Sequence, residues 1–165
     1  MKSKLEKTFY YDSKKSTQLS YNDLYRYVVG SEPVMLNSSY TNTKDFLLNL
    51  TKALYYNIDL TLNDLNNDSE DTSFTNTYII KKPEHISELI DCIFKSKSKI
   101  SLFTSGTTGQ PKKIIHSISN LVREVRRGEK FEHNIWAFAY NPTHMAGLQV
   151  FFQALLNTNS IYNVF

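Results

Sequence analysis

The stretch IWAFAYNPTHMAGLQVFFQALLNTNSIYNVF, Ile135–Phe165, decides the fold class. Its first six residues, Ile135–Tyr140, form an apolar run of strand length. Met145–Leu156 is apolar almost all round, which predicts a buried helix and not an amphipathic surface one. Ser160–Phe165 then begins another strand. Strand, helix and strand in this rhythm imply parallel pairing through right-handed crossovers.

The same rhythm extends upstream. Thr77–Ile80 (TYII) is β-branched and aromatic, hence strand-like. Pro83 opens a predicted helix whose Ile86, Leu89, Ile90, Ile93 and Phe94 share one face. Lys99–Thr104 (KISLFT) reads as a buried strand, and Ile114–His116 as a short extended piece. Ser117 suits the N-cap of a helix that buries Ile118, Leu121, Val122 and Val125 and stops at Gly128. The expected class is α/β, a mostly parallel sheet flanked by helices.

Residues 1–75 are more polar, rich in Asn, Ser, Tyr and Lys. Ser20 with Asp23 three positions on predicts a capped helix over SYNDLYRYVV. A second helix is predicted after Thr43, where Phe46, Leu47, Leu50, Ala53 and Leu54 recur at helical spacing. Residues 63–76, NDLNNDSEDTSFTN, read as a loop. No repeat or long linker divides the chain, so 1–75 and 76–165 are expected to form parts of one domain.

Composition narrows the function. Of 165 residues, 41% are hydrophobic and 21% charged, enough to build a core. A net charge of +3 is too small an excess to argue for nucleic acid. Cys92 is the only cysteine, which excludes a disulfide framework and makes a cytoplasmic setting the expectation. The N-terminus has no signal-peptide apolar run, and no segment approaches the ~18 apolar residues of a membrane span.

The chemistry-bearing motif is Leu102–Lys113, LFTSGTTGQPKK. It follows a predicted buried strand, where open α/β sheets place ligands. Gly106 and Gly109 let the backbone approach a ligand closely. Thr104, Ser105, Thr107 and Thr108 set hydroxyls beside backbone N–H groups, a donor density suited to phosphate oxygens. Lys112 adds a cation, and Pro111 stiffens the exit. The pattern is not a Walker A loop, because Gln110 and Pro111 separate the second glycine from the lysine.

Over Thr104–Lys112 the motif resembles the phosphate-binding signature of the adenylate-forming enzymes, which include acyl-CoA synthetases and the adenylation domains of peptide synthetases. Lys113 stands where that family usually has glycine. Asn141–Leu148 (NPTHMAGL) is similar to the family's Pro-x-aromatic-His-x-x-Gly-Leu segment, with Thr143 at the aromatic position. The resemblance implies that Thr104, Ser105, Gly106, Thr107, Thr108, Gly109 and Lys112 contact ATP phosphates. It implies that His144 borders the pocket for a carboxylic acid substrate, and a helix cap or a core residue is the alternative reading of that histidine. It also implies Mg²⁺ with the ATP, and coenzyme A or a phosphopantetheine carrier as acyl acceptor.

The family's adenine-contacting, ribose-binding and C-terminal lysine elements have no counterpart in these residues. The expectation is therefore an incomplete N-terminal portion of a ligase, inactive alone, with a complementary C-terminal chain as a conceivable partner. A noncatalytic remnant or subunit that binds nucleotide weakly, or a partner chain, is the alternative. Ser160–Phe165 is expected to present an unpaired strand edge. The remaining candidates read as structural. His85, His116 and His133 lack metal-ligand spacing. Cys92 lacks a basic activator. Arg123, Arg126, Arg127 and Lys130 read as cations at a helix C-terminus, with no nucleic acid partner expected.

Overall fold

A computed structural model describes residues 7–30, 42–62, 82–104 and 111–164. The chain opens with a hairpin, β1 (Thr8–Asp12) and β2 (Thr17–Ser20), followed by α1 (Tyr21–Val29) and α2 (Thr43–Tyr55). Then come β3 (Leu60–Leu62), α3 (Ile86–Phe94), β4 (Lys99–Thr104), β5 (Lys112–Ser117) and the single turn α4 (Ile118–Leu121). A 3-10 turn at Glu129–Phe131 leads to β6 (Ile135–Phe138), α5 (Met145–Leu156) and β7 (Ser160–Asn163). The α/β reading holds, with two mixed sheets.

One sheet has the order β2-β1-β7-β6 and the other β3-β4-β5. Among the described residues β1–β7, β6–β7 and β3–β4 pair parallel, whereas β1–β2 and β4–β5 pair antiparallel. The antiparallel pairs are the sequence-adjacent hairpins, which the alternation of strands and helices does not reveal. β7 is not an edge, contrary to the expectation for Ser160–Phe165. It lies between β1 and β6, with Ile161 opposite both Tyr10 and Trp136. Ile161 is fully buried there, and so is Phe138.

Local chemistry explains several boundaries. Ser20 and Asp23 make the reciprocal capping box of α1, and Asp23 Oδ2 accepts from the Ser20 backbone N–H at 2.8 Å. Asn42 Oδ1 accepts from the Asp45 N–H at 2.9 Å to cap α2. After α2, the Asn57 and Asp59 side chains accept from the backbone N–H groups of Lys97 and Lys99, each at 2.7 Å. These two bonds set the start of β4 beside β3, so that Leu60, Thr61 and Leu62 face Ile100, Ser101 and Leu102.

The predicted helix over 117–128 is shortened to α4. Its N-cap Ser117 is as expected, accepting from the Asn120 N–H at 3.3 Å. Five residues past the end of α4, side-chain amides take over the backbone. Gln153 Oε1 accepts from the Arg126 N–H at 3.0 Å, and Gln153 Nε2 donates to the Arg126 carbonyl at 2.7 Å. Asn157 Nδ2 donates to the same carbonyl at 2.9 Å. Those groups would otherwise serve the i→i−4 ladder, so the helix cannot run on to Gly128. The four basic residues consequently sit on a connection and not at a helix end. Arg123 pairs with Glu124 at 3.0 Å, and Lys130 lies over the Phe131 ring.

Tyrosines of the first third tie distant segments together. Tyr21 OH donates to the Asn159 carbonyl at 2.7 Å, and Tyr25 OH to the Pro83 carbonyl at 2.7 Å. Burial of the Tyr21 ring pushes its hydroxyl well above the usual phenol range. The strand predicted at Thr77–Ile80 and the loop at 63–76 lie outside the described residues.

Asp12 and Asn163 end β1 and β7 opposite one another, and Asn163 Nδ2 donates to Asp12 Oδ2 at 3.0 Å. Burial works to raise the Asp12 carboxyl. Hydrogen bonds from Asn163, the backbone N–H groups of Lys15 and Lys14, and Tyr10 outweigh it and hold the group below its ordinary value of 3.8. The unfolded chain therefore binds the proton first as pH falls, so this carboxylate stabilises the fold above about pH 4 and stops doing so once pH drops through its lowered value. Melting temperatures of the wild type and Asp12→Ala, measured from pH 7 to pH 2, should differ at neutral pH. They should converge at the acid end.

Candidate functional site

The phosphate-type motif is strung across the β4–β5 hairpin. Ile100, Ser101 and Leu102 bury the middle of β4, and the strand emerges at Thr104, which is exposed. β5 returns from Lys112, also exposed. The ladder runs unbroken from Lys99 opposite Ser117 to Thr104 opposite Lys112. Thr104 Oγ1 donates to the Lys112 carbonyl at 3.4 Å. The first and last polar residues of the motif are thus cross-strand neighbours at the hairpin mouth, beyond the C-terminal end of a strand that pairs parallel with β3. Ser105, Gly106, Thr107, Thr108 and Gly109 lie outside the described residues. Lys113 faces Phe103 across the ladder and is exposed.

His144 is the N-cap residue of α5, with φ −102° and ψ 160°. Its imidazole is exposed and makes no side-chain cap bond, so the capping reading does not describe what this ring does. The cap is built from the residues before it. Asn141 Oδ1 accepts from the Thr143 N–H at 2.9 Å and from Thr143 Oγ1 at 2.8 Å, while the Asn141 carbonyl accepts from the His144 N–H at 3.1 Å. Thr143 is 2% exposed. Its hydroxyl is spent on this turn, which explains why a small polar residue serves where an aromatic side chain would not fit the bond.

Gly147 presses against the same turn. A Cβ at this position would lie 2.8 Å from Pro142 Cα and 2.9 Å from the Asn141 carbonyl carbon, and closer still to the carbonyl oxygen. The glycine therefore permits the close seat of α5 on which His144 is carried. α5 is tied to the hairpin through α4, because Gln149 Nε2 donates to the Leu121 carbonyl at 2.8 Å. α4 follows directly on β5. Thr104 and Lys112 are brought together as direct partners, whereas His144 belongs to the crossover between β6 and β7.

The exposed lysine ammonium at the hairpin mouth suits an anionic oxygen, whereas the Thr104 hydroxyl proton is directed at the Lys112 carbonyl. No group of three or more His, Cys, Asp or Glu side chains among the described residues could hold a metal ion. Burial first, with the Asp91 and Glu88 charges adding to it against Lys95, pushes the Cys92 thiol up and away from thiolate reactivity. No helix among the described residues is long and apolar enough to cross a membrane.

No family model matches the chain, and no curated protein matches it in sequence.

Gly147→Ala should lower the unfolding free energy by about 1–3 kcal/mol, the usual penalty for overpacking a tight contact. Urea denaturation followed by circular dichroism measures it. A neutral outcome would mean that α5 does not bear on the Asn141–Pro142 turn.

Proposed function

We propose that the chain forms the ATP-phosphate-binding, N-terminal portion of a carboxylate-activating ligase. The observation that carries this reading is the hairpin mouth. It holds both ends of a Ser/Thr/Gly loop on the same ladder rung, with Thr104 and Lys112 exposed where the loop leaves a buried strand. Bringing the two ends of a segment together beforehand lowers the entropy cost of closing it round a triphosphate.

In the proposed reaction an oxygen of the carboxylic acid substrate attacks the α-phosphorus of ATP. The bond from that phosphorus to the bridging oxygen breaks, and pyrophosphate leaves with the electron pair. Lys112 and the hydroxyls of the loop stabilise the charge gathering on pyrophosphate. Mg²⁺ bound to the phosphates would neutralise part of the same charge. His144, at the positive end of α5, borders the acid. The acyl-adenylate then passes its acyl group to a thiol, from coenzyme A or a carrier's phosphopantetheine. The adenine and ribose contacts come from residues other than these, for which a complementary chain is the proposed partner. The proposed setting is cytoplasmic, and nucleic acid is not a proposed partner.

Titration of the isotope-labelled chain with Mg·ATP, followed by amide NMR, tests the first half of this reading. Shifts should concentrate from Thr104 to Lys112, AMP should compete poorly, and Lys112→Ala should weaken binding about tenfold, as loss of one charge-assisted contact does. Equal binding by wild type and Lys112→Ala would remove the lysine from the site. In acid-dependent pyrophosphate exchange with the missing elements supplied, Lys112→Ala should forfeit about 2–4 kcal/mol of transition-state stabilisation. His144→Ala should raise the KM for the acid more than that for ATP. Equal changes in both, with a lower melting temperature, would make His144 structural.

A further inference from the structure

A cleft of about 680 Å³ opens at the opposite, N-terminal ends of β1 and β7, and no residue of the β4–β5 hairpin lines it. Its walls come from the start of β1, from α3, from the connection between α4 and β6, and from the turn between α5 and β7. The volume lies in the range of small-molecule sites. Ile90 and Leu156, both buried, supply an apolar floor. Lys7, Arg127, Asp91 and Glu132 line it with charge of both signs.

The rim is built rigidly. Arg127 and Gly128 lie between two clamped positions, since Gln153 and Asn157 hold the Arg126 backbone and Asn159 Nδ2 donates to the Phe131 carbonyl at 2.7 Å. The Arg127 guanidinium sits 5.4 Å from the centre of the Phe94 ring. It makes no ion pair with a described residue, and neither do Asp91 or Glu132. Opposite charges that share a cleft without pairing leave both available to something that bridges them.

Backbone conformation points to the same place. Gly128, at φ 131°, has open space where a Cβ would be, so its glycine is required by conformation and not by room. His133 and Thr158 are left-handed at φ 71° and 55°, and both line the cleft. Thr158 is the telling case. It follows α5 as Asn57 follows α2, and the hydrogen bonds match. Asn57 and Ile58 donate to Leu54 and Ala53, while Thr158 and Asn159 donate to Leu155 and Ala154. At α2 this left-handed position holds asparagine, which tolerates it. At α5 it holds a β-branched residue, which does not. Strain retained at a position facing a cleft indicates that the side chain has work there.

We propose that this cleft binds a small organic anion that also donates hydrogen bonds. Arg127 takes the anionic group, Asp91 and Glu132 accept from its donors, the apolar body lies on Ile90 and Leu156, and Thr158 adds a hydroxyl. The site is separate from the phosphate-type loop and stands or falls independently of the ligase reading.

Three fluorescent probes test it on the whole chain: a naphthol sulfonate, the naphthalene sulfonate without the hydroxyl, and naphthol without the sulfonate. A sulfonate offers no carboxylate to activate, so the response is independent of the proposed reaction. The naphthol sulfonate should bind saturably and at least about tenfold more tightly than either relative. Amide shifts should centre on Arg127–His133, Asp91 and Thr158. Arg127→Gln should abolish the preference for the sulfonate while leaving the melting temperature near wild type. Thr158→Gly should raise the melting temperature and weaken binding together. Equal affinity for all three probes, shifts centred on the β4–β5 hairpin, or Thr158→Gly that gains stability with binding intact would each overturn the proposal.

Discussion

The placement of β7 between β1 and β6 is the constraint on which the larger sheet depends. Tyr10, Ile161 and Trp136 stand in one row across the three strands, and Asp12, Asn163 and Phe138 in the next. Neighbouring residues in a parallel ladder point to the same side, so both rows share one face of the sheet. The alternate row, Tyr11, Tyr162 and Ala137, is more open to solvent, and the two tyrosine rings there lie 5.4 Å apart. Removing β7 would separate β6 from the β1–β2 hairpin and strip both of their ladder partners. It would also remove the anchor of the β1 start, where Ser160 Oγ donates to the Thr8 carbonyl at 2.7 Å.

The phosphate-type loop and the cleft use opposite devices. The loop is glycine-rich in sequence, and the ladder fixes Thr104 and Lys112 at its two ends. The cleft is lined by segments whose backbone is held by side-chain amides, so its shape is set before anything arrives. Gln153, Asn157 and Asn159 act here as part of the scaffold. Each saturates backbone groups of the α4–β6 connection that would otherwise need water or a longer helix.

Much of this was legible from residue pattern, and the failures share a cause. α1 and α5 fall where capping chemistry and a long apolar run put them, because both signals are local. The β4 strand and the motif that follows it were equally plain. β1, β2 and β3 mix polar and apolar residues without the continuous apolar run of Ile135–Tyr140, and they are strands because partners pair with them. The helix does not extend through Arg126 because Gln153, far along the chain, takes that residue's backbone groups. The partnering of Ser160–Asn163 on both sides rests on contacts with residues 10–12, which local pattern cannot reveal. The cleft was invisible for the same reason. Its one sequence signal was a threonine where helix ends usually hold glycine or asparagine.

The parallel pairing of Tyr10 with Ile161 also sets a delay during synthesis. A ribosome adds about 5–20 residues per second, so β1 waits on the order of ten to thirty seconds for the strand that completes it. Over that interval the nascent hairpin carries Phe9, Tyr10 and one unpaired strand edge, all of which are covered only in the finished sheet. An apolar edge left open for that long is the kind of surface that pairs with other chains before its own strand arrives.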